Sequence, residues 1–147
     1  MKKYWSVLIL VVGLFTSCSD DCKDAKSPEA PSFFVELIDA TSGENVFANG
    51  SFAENQVVVL DSEENDVSFS IITDLNVIHI VPEYKNLTSG SVVVKLNNLE
   101  TMETKTVDIQ FDINKVEQEC FTMHTISNVV TPNNETELVN SVYIIKI

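Results

Sequence analysis

Residues 104–113 read Thr-Lys-Thr-Val-Asp-Ile-Gln-Phe-Asp-Ile. Val107, Ile109, Phe111 and Ile113 point one way along an extended chain, and Thr106, Asp108, Gln110 and Asp112 point the other. Side chains on a strand alternate between faces, so this period of two predicts a strand with one buried and one wet face. Such a strand cannot stand alone. It needs hydrogen-bonding neighbours at its edges and a second apolar layer over its buried face.

The rest of the chain supplies those neighbours. Residues 33–38 predict a first strand, ended by Asp39-Ala40-Thr41-Ser42-Gly43. Asn49-Gly50, between residues 46–48 and 51–52, predicts a two-residue hairpin, because both turn positions of that hairpin need positive φ. Residues 56–61, 67–73 and 75–81 predict three more strands, the last closed by Pro82. Val92, Val94 and Leu96 alternate with Val93, Lys95 and Asn97. Residues 118–126 and 138–147 predict further strands; residues 116–130 also admit a helical turn, against which their β-branched content argues. About nine short strands with regularly spaced turns predict an all-β fold, a single antiparallel β-sandwich of immunoglobulin or transthyretin kind over residues 33–147.

The N-terminus follows a different logic. Lys2 and Lys3 precede an uncharged apolar run over residues 5–15, and Thr16 and Ser17 lead to Cys18. A basic start, an apolar run and small residues are the layout of a secretory signal. The run is too short for the roughly 30 Å hydrocarbon core of a bilayer, so it does not predict a permanent membrane span. Leu14-Phe15-Thr16-Ser17-Cys18 resembles a lipobox, with Phe15 where Leu is usual and Ser17 where Gly or Ala is usual. The resemblance implies cleavage before Cys18 and a thioether from its sulfur to diacylglycerol. Ser19-Asp20-Asp21 resembles the acidic export signal that Bacteroidetes lipoproteins carry after the lipidated cysteine, which implies the outer face of the outer membrane. Residues 1–17 thus read as a lipoprotein signal peptide and residues 18–32, polar and containing Pro28 and Pro31, as a tether.

Charge narrows the partners. The chain carries a net charge of −13 and no arginine. Loss of residues 1–17 removes Lys2 and Lys3 but no carboxylate, so the mature domain of 130 residues stands at −15. Nucleic acid needs a basic footprint, so it is excluded as a partner. Anionic headgroups would repel this domain, which leaves the N-terminal lipid as its expected membrane contact. The four glycines form no phosphate-cradling loop, and Trp5, the single tryptophan, leaves with the signal.

Chemistry-bearing residues are few. Cys22 and Cys120 remain after Cys18 is lipidated, and export permits a disulfide between them. Closing so long a loop would stabilise the fold by about 4–5 kcal/mol in the chain-entropy model. Two unpaired thiols are the alternative. His79 and His124 lack HxH or HxxxH spacing, so no metal site is expected from them. Asp61-Ser62-Glu63-Glu64-Asn65-Asp66 is an acidic turn without the glycine and glutamate positions of a calcium-binding EF-hand loop. No GxSxG, SxxK or CxxC is present, and no catalytic residue or cofactor is expected.

Glu36-Leu37-Ile38-Asp39-Ala40-Thr41-Ser42-Gly43-Glu44-Asn45-Val46-Phe47, Asn49-Gly50-Ser51-Phe52 and the closing Val142-Tyr143-Ile144-Ile145-Lys146-Ile147 resemble small flavobacterial surface lipoproteins. The resemblance implies a surface lipoprotein with a β fold, and no activity. The expectation is a non-enzymatic binding or accessory module that meets another envelope protein or an external ligand. A periplasm-facing assembly partner of an outer-membrane complex and a small hydrolase are the rival readings.

Overall fold

The computed structural model describes Cys22 and residues 26–147. The signal segment, Cys18 and Ser19-Asp20-Asp21 lie outside the described residues. Nine strands form in chain order: β1 (Phe33–Ile38), β2 (Val57–Asp61), β3 (Ser68–Ile72), β4 (Val77–Val81), β5 (Ser89–Asn98), β6 (Glu103–Glu117), β7 (Thr122–Val130), β8 (Thr136–Val139) and β9 (Val142–Lys146). They make two sheets, ordered β3-β4-β1-β9-β8 and β2-β5-β6-β7. The chain is an all-β sandwich.

The period of two is what builds the core. Val107, Ile109, Phe111 and Ile113 of β6 are all buried, as are Val92, Val94 and Leu96 of β5. Against them lie Phe33, Val35 and Leu37 of β1, Ile78 and Ile80 of β4, and Ile145 of β9. Each fully buried aliphatic side chain contributes about 1.5–3 kcal/mol relative to exposure, so this interface is the main favourable term in folding.

Pairing is antiparallel with one exception. β1 runs parallel to β9, in register Phe34↔Val142 through Ile38↔Lys146. A parallel pair needs a long crossover, and here nearly the whole domain is that crossover. Alternation marks faces and not partners, which is why this pair departs from the antiparallel expectation.

Three local expectations also change. Asn49-Gly50 does turn, but no hairpin forms around it. Asn45 Oδ1 accepts from the backbone N–H of Phe47 at 2.9 Å and of Ala48 at 3.3 Å, winding the segment into a compact loop. Val46 and Phe52 then plug the core as loop residues. Leu75 and Asn76 belong to the β3–β4 turn and not to β4. The C-terminal segment is two strands and not one. Asn140 and Ser141 both have positive φ, at 49° and 68°, the requirement of a tight primed hairpin turn. Residues 116–130 form the ends of β6 and β7, with no helical turn.

Asparagine does much of the turning. Asn76, Asn86 and Asn140 turn with left-handed backbone and Asn128 adopts it at a bulge within β7, while among the described glycines Gly43 and Gly50 have positive φ. Gly90 has a different role. It pairs directly with Phe111 across β5 and β6, and a Cβ built there would lie 2.7 Å from the phenyl ring. That ring also packs on Phe33, with centroids 5.5 Å apart. Gly90→Ala should therefore force the ring out of its place and cost about 1–3 kcal/mol. Urea unfolding measures it; a midpoint equal to that of the parent would show that the ring has room to move.

Candidate functional site

The features that carry chemistry fall at the two ends of the sandwich and on one sheet face. At one end β6 and β7 extend past their neighbours as a hairpin. Cys120, in its turn, is disulfide-bonded to Cys22, with Cα atoms 5.2 Å apart and a sequence separation of 98. Of the two pairings left open by the sequence, the bridged one is present. The bridge ties a segment that precedes the sandwich to the hairpin tip.

A cleft of about 640 Å³ lies beside this hairpin. Lys85, Asn86, Leu87 and Thr88 form one wall, and Ile113, Asn114, Lys115, Thr122 and His124 the other. Two lysines and a histidine in an arginine-free chain suggest an anion site. The Lys115 ammonium, however, donates to Glu117 Oε1 at 2.7 Å, so much of that charge is already matched. Both groups are exposed, and such a pair contributes little to stability. The Lys115 hydrogen bond, with its charge, holds the Glu117 carboxyl below its ordinary value.

The histidines are not brought together. His79 lies on the outer face of the β3-β4-β1-β9-β8 sheet and stacks on Phe34, with centroids 4.7 Å apart and planes at 22°. His124 lies on β7 in the other sheet, with the Tyr84 ring 5.0 Å away. Among the described residues no group of three His, Cys, Asp or Glu side chains could hold a metal ion.

The outer face around His79 mixes apolar and polar side chains. Register aligns Ser70, His79, Phe34, Val142 and Val139 in one row and Ile72, Val77, Glu36, Ile144 and Glu137 in the next. Val77 is only 3% exposed although it stands outside the core cluster, so its neighbours on this face bury it. The opposite sheet presents mixed rows, with Val58, Lys95 and Thr106 in one and Leu60, Val93 and Asp108 in the next.

The acidic turn 61–66 is organised by its own backbone. Asp61 Oδ1 accepts from Glu63 N–H at 2.8 Å and Asn65 N–H at 2.9 Å, while Asn65 Nδ2 donates to Oδ2 at 3.0 Å. These bonds favour the ionised carboxylate. The Asn65 side chain leads, and the Asp61 pKa falls below its ordinary 3.8. Asp39 repeats the pattern in the loop after β1, accepting from Ser42 and Thr41. This is turn chemistry, with the carboxylate oxygens occupied by the protein's own donors. The turn itself is expected from the sequence, and the spacing Asp-x-x-x-Asn is the signal for its internal hydrogen bonds.

A lowered folded pKa means stability that is present above the unfolded value and lost as pH falls through the folded one. Asp61→Ala should thus lower the melting temperature at neutral pH, and the gap from the parent should shrink below about pH 3.8. Thermal melts at pH 7 and pH 3 measure it; an equal gap at both would show that the carboxylate's charge is not what the turn uses.

No family model, curated protein or solved structure matches this chain.

Proposed function

We propose that this chain is a lipid-anchored envelope protein, exported through residues 1–17, acylated at Cys18, and used as a non-enzymatic binding or accessory module on the outer face of the outer membrane. The observation that carries the reading is the Cys22–Cys120 disulfide four residues after the acylation site. Disulfides persist in oxidising compartments, so the bridge supports export, and export supports the N-terminal segment as an address. The lipobox-like Leu14-Phe15-Thr16-Ser17-Cys18 supports retention by lipid. The acidic, arginine-free domain supports acyl chains over headgroup binding as the means of retention. Each buried methylene contributes about 0.8 kcal/mol, so two or more chains hold such a domain stably. Ser19-Asp20-Asp21 supports the outer face. A binding role fits a rigid sandwich whose histidines stand on separate sheets, each beside an aromatic ring.

The Cys18→Ala precursor should leave the membrane fraction. Sedimentation of envelopes at high salt measures this, and a variant that still sediments with the membrane would overturn the anchor. Protease treatment of intact cells then tests the face: digestion of the domain is expected, and a protected domain would turn the reading towards the periplasm.

A further inference from the structure

The sandwich does not end evenly. β5 pairs with β6 only as far as Ser89↔Asp112, and Ile113 N–H still donates to Thr88. Beyond that point β6 continues through Asn114 to Glu117, paired with β7 alone. At about 3.4 Å per residue the hairpin projects roughly 15 Å past the sheet. Cys120 sits in its turn, and Cys22 is fixed to it.

Under the proposed anchor, this changes the geometry of attachment. Cys22 lies four positions after Cys18, a reach of at most about 14 Å. Without the bridge the strand order would begin at Phe33, fifteen residues from the lipid, a flexible coil of about 20 Å and more than twice that when extended. We infer that the Cys22–Cys120 bridge seats the sandwich hairpin-first over the lipid surface and presents its opposite end outward. The inference rests on acylation at Cys18. The partner at the hairpin end is the membrane interface itself. Glu117 and Glu119 at the tip are exposed and favour water, so the tip rests at the headgroups and does not enter the acyl region. The outward end comprises the loop after β1, the β3–β4 turn and the β5–β6 turn. It carries Leu75, Leu99 and Met102, at 64, 77 and 84% the most exposed large hydrophobic side chains among the described residues. The β5–β6 turn is held firmly: Asn98 Oδ1 caps Glu100 and Thr101, and Asn98 Nδ2 donates to Ser51 O at 2.8 Å.

The test uses the full acylated protein in phosphatidylcholine vesicles that contain an acceptor-labelled lipid. A donor fluorophore is placed through an unnatural amino acid at Gln118 in the hairpin turn or at Thr101 at the opposite end. Quenching at Gln118 should exceed that at Thr101 by about twofold or more, since β6 alone separates the two ends by roughly 45 Å. Replacing both cysteines, Cys22→Ser with Cys120→Ser, should remove at least half of that difference. A flexible spacer of about ten residues between Asp21 and Cys22 should do the same with the bridge intact, which covers a double variant that fails to fold. Bound protein with equal quenching at both ends would overturn the inference, as would a difference that survives the spacer. Protein that does not bind the vesicles at all would overturn the anchor reading and the inference with it.

Discussion

β1 is the strand on which one whole sheet depends. It lies at the centre of that sheet, antiparallel to β4 on one edge and parallel to β9 on the other. Val35 and Leu37 on its inner side have no exposed surface, and they meet the core side chains of β5 and β6 across the sandwich. Its partners come from distant parts of the chain, so each pairing closes a long loop before any contact rewards it. The other sheet is built differently. β5, β6 and β7 follow one another as a meander with short connections. We expect that local sheet to offer the surface on which β1, β4 and β9 assemble. The backbone of the last residues completes the arrangement, with Ile147 N–H donating to Ile38 O at 2.9 Å.

Both outer faces are mixed. One sheet sets Val58, Leu60 and Val93 beside Lys95, Thr106 and Asp108. The other sets Val77, Val142 and Ile144 beside Ser70, Glu36 and Glu137, with His79 lying flat on Phe34. Asp39 and Asp61 sit in turns where backbone donors satisfy them, and among the described residues Lys105, Lys115 and Lys146 face a carboxylate within 4.0 Å. Little charge is left in any place where it would need burial.

How much of this could be read in the residues depends on range. β6 was legible throughout its alternating part because its neighbours along the chain carry the signal. The same holds for the inner residues of β1 and β5. The parallel partner of β1 was not legible, since alternation is silent about which strand lies beside which. Asn49-Gly50 misled because its flanks, Val46 and Phe52, are apolar for a different reason: they fill the core from a loop. Asn140-Ser141 was missed because serine rarely takes the left-handed position that glycine occupies in the common hairpin turn. For the site, Cys22 and Cys120 could be named as a pair but not located. Their meaning comes from the projecting hairpin, and only register reveals that β6 outruns β5.

Asparagine in place of glycine at the left-handed turns has a consequence on the other side of the folding equilibrium. An unfolded glycine explores far more backbone conformations than an asparagine, and all but one must be surrendered on folding. By turning at Asn76, Asn86 and Asn140, and by bulging β7 at Asn128, the chain begins from a smaller unfolded ensemble. Part of the sandwich's stability therefore resides in conformations that the unfolded chain never had, and no contact in the folded molecule records it.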